Sequence, residues 1–283
     1  MLAAVREHED ELNRLNVFPV RDHDTGTNMA LTLEGVVKAV EATADRPLRD
    51  LAGAVVDAAL LEARGNSGTI LAEVLRGLFE TWAPLGYVGA DDLVRGFQVA
   101  AERADQSVLE PVEGTILTVV RSTAHALAEL PPSDPATMLA LAAEAATRAV
   151  EATREQLDVL RHAGVVDAAA RGFELCLRAF AATAAGQPVP GREPARETAG
   201  DRGRMNGPAF EVQYLVACGE RDAEELERYL ATIGASIVVA RSDGLYRVHV
   251  HTDDAGAAIE EAARRGPISR VQVAYLGAEP PRD

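Results

Sequence analysis

The chain has 283 residues, enough for about two domains, and its 47% hydrophobic and 25% charged content excludes collagen-like, disordered and disulfide-stapled classes. Twenty-eight Lys and Arg against 44 Asp and Glu leave a formal charge of −16, a field that opposes phosphate backbones and anionic lipid, so no nucleic-acid partner is expected. With aromatics at only 4%, alanine and leucine must do the packing, which favours closely approaching helices. From Met1 to Gly186 apolar residues recur at helical spacing, as in Met29, Leu33, Val36, Val37 and Val40. About eight helices are predicted, over 1–15, 27–43, 48–62, 68–82, 90–107, 114–129, 134–157 and 166–184. Residues 187–208 are rich in Gly, Pro and charge, the composition of a solvated linker. After it the period changes. Phe210–Val216 reads as a strand, Asp222 with Glu225 caps a helix, and Ser236–Ala240 and Leu245–His251 are strands around a turn at Ser242-Asp243-Gly244. A helix from Asp254 to Arg265 and a strand from Ser269 to Tyr275 complete a ferredoxin-like α+β order within 209–279. The only cysteines, Cys176 and Cys218, are far apart in apolar surroundings, which fits a reducing compartment better than a disulfide framework. No apolar run approaches the ~18 residues of a membrane span and the start lacks a secretory signal, so the expected location is cytoplasmic.

The chemistry concentrates in short breaks between helices. In Asn16-Val-Phe-Pro-Val-Arg-Asp22-His-Asp24-Thr-Gly-Thr-Asn28, Pro19 and Gly26 keep the backbone out of helix, and two carboxylates two residues apart can converge on one divalent cation. Thr25, Gly26, Thr27 and Asn28 open the next helix, where free amides and the dipole favour an anion. Magnesium held by Asp22 and Asp24 would reconcile acidic side chains with a neighbouring phosphate. The plainer alternative is that Asp24 or Thr25 only caps the helix and Asp22 is solvated. A second break, Arg64-Gly65-Asn66-Ser67-Gly68, has two glycines that let a ligand approach the backbone and amides that can face phosphate oxygens; its alternative is a helix corner capped by Gly65. Pro111-Val-Glu113-Gly114-Thr115 and Gly164-Val-Val-Asp167 open two further helices, and either alone reads as a cap.

Together, LNVFPVRDHDTGTNM, ARGNSGTILAEVLRG, PVEGTILTV and AGVVDA, in this order and at these separations, resemble the ATP-binding subunit of bacterial fatty acid kinase. They resemble more distantly the L-type nucleotide-binding domain of dihydroxyacetone kinases. The segment Phe210–Leu276, with Val-His-Val-His-Thr, resembles that kinase's middle domain. The resemblance implies an eight-helix barrel over 1–186 that binds ATP and Mg2+ where the loops gather. Asp22 and Asp24 match the family's magnesium ligands, and Thr25–Asn28 with Asn66, Ser67 and Gly68 match its phosphate-contacting segments. Thr115 and Asp167 fall in motifs that border the nucleotide. The implied reaction is phosphorylation of a fatty-acid carboxylate, delivered by a separate fatty-acid-binding protein, to an acyl phosphate. The implied assembly is a homo-oligomer.

Several positions depart from the family pattern. Arg21-Asp22-His23-Asp24 stands where Pro-Asp-Gly-Asp is usual, which costs about 1 kcal/mol if position 23 needs positive φ. Ala168-Ala169-Ala170 replaces paired glycines and could narrow the nucleotide's space. His249 and His251 alternate on a strand and share a face; the resemblance implies a zinc site there, with Glu211 where the family has cysteine. The alternative is two histidines lining a polar sheet surface. The chain also stops before the family's further C-terminal domain and is read as a short form or a truncated chain. The leading expectation is an ATP- and Mg-dependent phosphotransferase. A nucleotide-binding regulator that has lost turnover and a dihydroxyacetone-type small-molecule kinase are its alternatives.

Overall fold

The computed structural model describes residues 1–43, 45–191 and 207–276. The expected linker therefore lies mainly outside the described residues, as does Pro280–Asp283. The first part is helical: α1 (Leu2–Glu7), α2 (Glu9–Leu15), α3 (Thr25–Ala42), α4 (Leu48–Glu62), α5 (Gly65–Trp82), α6 (Ala90–Ser107), α7 (Ile116–Glu129), α8 (Pro135–Gln156), α9 (Asp158–Ala163) and α10 (Ala168–Ala184). The second part runs β1 (Phe210–Ala217), α11 (Glu220–Ile233), β2 (Gly234–Ser242), β3 (Leu245–Thr252), α12 (Ala255–Arg265) and β4 (Ile268–Tyr275). Two expectations change in the helical part. The single helix over 1–15 is broken at His8, whose backbone leaves helical geometry at φ −107° and ψ 11°. An additional short helix, α9, follows α8 and ends at Gly164, whose φ of +70° is the left-handed cap that glycine adopts freely.

The helices pack in sequence, α3 on α4, α4 on α5, α5 on α6, α6 on α7, α7 on α8 and α8 on α10, and α10 returns to α1, α2 and α3. The centre of this arrangement is α5, which is buried on nearly every side through Ile70, Leu71, Ala72, Val74, Leu75 and Leu78. Small residues permit the expected close approach: a Cβ added to Gly77 would lie 2.5 Å from the Ala100 Cα on α6. The same helix buries Glu73 and Arg76 as an ion pair, with Arg103 donating to Glu73 at 3.0 Å, so the charges are compensated inside the protein.

The sheet order is β2-β3-β1-β4, with every pair antiparallel, and α11 and α12 cover one face. Val212, Tyr214, Val216, Val248 and Val250 point to those helices and form the small part's core. The alternate residues Glu211, Gln213, Arg247, His249 and His251 occupy the opposite face, in register, with Glu211 opposite His251 and Gln213 opposite His249. All five are buried. The polar sheet surface expected at the histidines is therefore not a solvent surface: it is packed onto the helical part.

That packing is specific. Leu109 donates its amide to the Ile237 carbonyl at 3.2 Å, and Val108 bridges Val238, so β2 gains an extra antiparallel segment from the helical part. Arg76 donates to the Arg241 carbonyl at 2.8 Å, while Arg241 donates to the Gln106 carbonyl at 2.8 Å. Arg247, 1% exposed, donates to the Ala63 carbonyl at 2.6 Å and to the Leu61 carbonyl at 3.2 Å. These carbonyls end α4, where the dipole and unpaired oxygens favour a cation. Among the described residues, no helix is long and apolar enough to cross a membrane.

Candidate functional site

The loop before α3 shapes one wall of the site. His23 takes φ +60°, the left-handed conformation anticipated for this position, and its Nδ1 lies 3.0 Å from the Asn13 carbonyl. This turn directs Asp22 and Asp24 the same way, and Glu211 of β1 meets them from the sheet: one carboxylate oxygen from each lies within 4.8 Å of the others. Asn16 donates to Asp22, and Asn28, one turn into α3, donates to Asp24 at 2.7 Å. These amides hold the carboxylates in place from behind. Burial, then the charge and hydrogen bond of Asp24, and then the charge of Glu211, push the Asp22 carboxyl well above its ordinary range, against the opposing hydrogen bond from Asn16. Burial and the Asp24 charge push Glu211 up to about 7. Three partly desolvated acids at this spacing repel one another unless a proton or a cation joins them.

Glu211 also belongs to a second group, with ligand atoms of Glu211, His249 and His251 within 4.8 Å of one another. The imidazole rings lie 4.9 Å apart between centroids, tilted by 55°, and His251 Nε2 is 3.8 Å from the Glu211 carboxylate. Both ring nitrogens of His249 and Nδ1 of His251 are buried without a hydrogen-bond partner among the described residues. Burial, with the charges of His251 and Arg247, holds His249 well below its ordinary value, and burial lowers His251 to about 4. Both rings are neutral near pH 7, the form that ligates metal. The oxygen-only set Asp22, Asp24 and Glu211 suits a hard ion such as Mg2+; the mixed set with two imidazoles suits Zn2+ or a similar transition ion. Orphaned buried nitrogens next to a carboxylate are the observation that a metal would explain. Cys218 lies beyond the end of β1 and outside both groups.

The expected phosphate segments divide. Gly26 and Thr27 donate their amides to Asn13 Oδ1 at 2.7 and 3.2 Å, and the Thr27 hydroxyl bonds Glu9 at 2.8 Å. The Asn28 amide donates to the Asp24 carbonyl at 2.8 Å, and Thr25 is buried. The anion cradle expected over Thr25–Asn28 is thus largely filled by the protein's own acceptors, because Asn13 of α2 reaches the start of α3. Around Asn66 and Ser67 the situation differs. Their amides precede the first helical bond of α5, from Gly68 to the Arg64 carbonyl at 3.0 Å, and Asn66 Oδ1 is buried without a partner. Gly65 has φ +57°, and a Cβ there would meet Asn28 Nδ2 at 2.3 Å. Glycine is required on both counts.

Asn66, Ser67, Thr115 and Asp167 line one cavity of about 390 Å3 with Phe18, Pro19 and residues of β2, so three separated motifs meet beside the carboxylates' loop. Thr115 donates to the Val112 carbonyl at 2.7 Å. Asp167 caps α10 through the Ala170 amide at 2.8 Å, and burial raises it to about 6. Its capping role and its position on the cavity coexist. Ala169 also lines the cavity, so one of the three methyl groups that replace the family's glycines reaches it. A second, larger cleft of about 1000 Å3 is lined by Asp24 and Glu211 of the acidic group themselves, with Asn28, Lys38 and Arg64. Sequence reasoning missed Gln213 and Arg247: on an alternating strand both read as ordinary outward polar residues.

Residues 19–182 match the DAK2 domain family, and residues 207–279 match the middle domain of the FakA-like fatty acid kinase family. An uncharacterized protein of Staphylococcus saprophyticus is 29% identical over 283 residues, covering 94% of this chain and 51% of that protein. Protein YloV of Bacillus subtilis is 29% identical over 287 residues, covering 94% of this chain and 52% of that protein. The chain thus spans about half the length of the curated relatives it matches. With its first match extending over more than half of the residues, the chain belongs to the DAK2 domain family.

Proposed function

We propose that the chain is the ATP- and Mg-dependent part of a kinase that phosphorylates the carboxylate of a fatty acid presented by a separate lipid-binding protein. The observation that carries this reading is the convergence of Asp22, Asp24 and Glu211 at the end of a loop whose Phe18 and Pro19 line the same cavity as Asn66, Ser67, Thr115 and Asp167. We keep with it a helical nucleotide-binding part over 1–186, in which the ring-like order of helix pairings supports a barrel, a linker over 187–208, and a middle domain over 209–279.

Magnesium bound to this oxygen set would neutralise charge on the β- and γ-phosphates. The protein's own residues do the rest. Asn16 and Asn28 hold the two aspartates that would carry the ion, and the Asn66 and Ser67 amides would offer donors to phosphate oxygens. Phe18, Ile70, Val108 and Ile237 give the cavity an apolar wall suited to a base. An acyl carboxylate is already an anionic nucleophile at neutral pH, so transfer needs alignment and charge neutralisation and no general base. Titration with ATP and Mg2+, followed by an acyl-phosphate assay with fatty acid on a lipid-binding protein, tests the reading. Tight Mg-dependent binding with product supports it. Binding without product favours a regulator, which the alanines after Asp167 motivate, and product from dihydroxyacetone alone favours a sugar kinase.

A further inference from the structure

Gln213 sits between the two halves of the site and touches both. It is 4% exposed, on the buried polar face of β1. Its Nε2 donates to Oε1 of Glu211, the carboxylate common to both metal groups. Its Oε1 accepts the Gly65 amide at 3.2 Å and Arg247 Nη2 at 3.3 Å. Gly65 is the first residue of α5 and directly precedes Asn66 and Ser67, which line the 390 Å3 cavity. From the other side, the same turn is held by Thr32, whose hydroxyl accepts the Arg64 amide at 3.0 Å and donates to the Asn28 carbonyl at 2.8 Å. Asn28 in turn donates to Asp24. A chain of hydrogen bonds results, from Asp24 through Asn28, Thr32, the turn at Arg64-Gly65 and Gln213 to Glu211, and its two ends are carboxylates of the same acidic group. One carboxamide thus joins an acidic side chain from one domain to the start of a helix in the other.

We propose that Gln213 is a positioning residue that couples ion binding at Glu211 to the order of the Gly65-Asn66-Ser67 turn. This rests on the reading of Asp22, Asp24 and Glu211 as ion ligands. The logic follows from the donor and acceptor inventory. A carboxamide has one donor end and one acceptor end, and here packing fixes which is which: the amide nitrogen must face the carboxylate, and the oxygen must face two N–H donors. An ion bonded to Glu211 locks the carboxylate's rotamer, which locks the Gln213 carboxamide, which fixes the acceptor for Gly65. Arg247 reinforces the same orientation, since a flipped carboxamide would direct its NH2 group at a guanidinium. Loading the ion thereby prepares the turn before a nucleotide arrives.

The test uses Mn2+ alone as probe, with the full chain and no nucleotide. Ion binding is measured by calorimetry, and amide hydrogen exchange is followed in 63–69 and, as a folding control, in β1 and β3. In the parent protein Mn2+ should slow exchange in 63–69 by about tenfold, the equivalent of one buried hydrogen bond. In Gln213→Leu, Mn2+ should still bind, exchange in β1 and β3 should stay slow, and the Mn2+-induced slowing in 63–69 should vanish. Gln213→Glu, protonated on the oxygen that faces Glu211, keeps an acceptor for Gly65 and Arg247, so its ion-free exchange in 63–69 should be slower than that of Gln213→Leu. Mn2+ binding to the parent without slowing in 63–69, or slowing retained in Gln213→Leu, overturns the coupling while leaving the kinase reading intact. Equal ion-free rates for the Leu and Glu variants overturn the acceptor role. No Mn2+ binding by the parent protein removes the ion site and this proposal with it.

Discussion

Replacing Glu211 by Gln isolates the electrostatic strain at the centre of the site. Burial and the Asp24 charge raise the Glu211 carboxyl from 4.5 to about 7 in the folded protein. A raised acid binds its proton more tightly when folded than when unfolded, so its contribution to stability is complete below pH 4.5 and is lost as pH rises toward 7. The rise from 4.5 to about 7 corresponds to about 3 kcal/mol that the ion-free parent protein forfeits above pH 7 and that a neutral glutamine does not. For a chain of this size that is roughly 5 °C in melting temperature. The variant should therefore melt about 5 °C higher than the parent at pH 8 in chelator and within about 1 °C of it at pH 4.5. His249 and His251, whose lowered values act in the opposite direction below pH 6.5, affect both proteins and cancel in the difference. Mg2+ or Mn2+ should reverse the order at pH 8, because only the parent gains a charge partner for its carboxylate. Thermal melts across this range check the argument. A variant less stable than the parent at pH 8 without metal would refute the idea that Glu211 is held there as a strained, ion-seeking group.

Asp22→Asn and Asp24→Asn should each abolish Mg-dependent nucleotide binding with unchanged helical circular dichroism, since neither carboxylate belongs to a hydrophobic cluster. Unaltered affinity in both would reduce the pair to loop and cap residues. Gly65→Ala places a Cβ at φ +57° and 2.3 Å from Asn28 Nδ2; it should cost roughly 2 kcal/mol of stability in denaturant melts. It should also weaken nucleotide binding more than the stability loss explains, and a neutral effect on both would show that the turn is not constrained. Arg247→Met removes the cation that caps α4 from the sheet and takes its donor from the Ala63 carbonyl, while the Leu61 carbonyl keeps Arg270. Differential scanning calorimetry should then resolve two transitions where the parent shows one, and a single unshifted transition would mean that other contacts hold the domains together.

Sequence made the elements visible because their signals are local. The stripe Met29, Leu33, Val36 marks α3, and the alternation in Leu245–His251 marks β3. Asp22 and Asp24 were legible as a pair because only His23, in one turn, separates them. The short helix α9 was not legible, since six residues give less than two turns of pattern. The rest depended on contacts between distant segments. Asn13 satisfies amides 13 and 14 residues away, so the helix start that reads as an open anion site is already occupied. The face bearing Glu211, Gln213, Arg247, His249 and His251 has the polarity of a solvent face and is buried only because a second domain covers it. Resemblance pointed to Glu211, His249 and His251 as one group; that Glu211 also meets Asp22 and Asp24 follows only from how the sheet docks.

The most direct measurement is a crystal structure of the protein with Mn2+ and a non-hydrolysable ATP analogue, using the anomalous signal to locate the ion. The account predicts manganese bonded to Asp22, Asp24 and Glu211, with phosphates reaching it from Asn66 and Ser67 and the base in the cavity bounded by Thr115 and Asp167. Triphosphate and manganese bound elsewhere, with those three carboxylates joined only by protons, would contradict it.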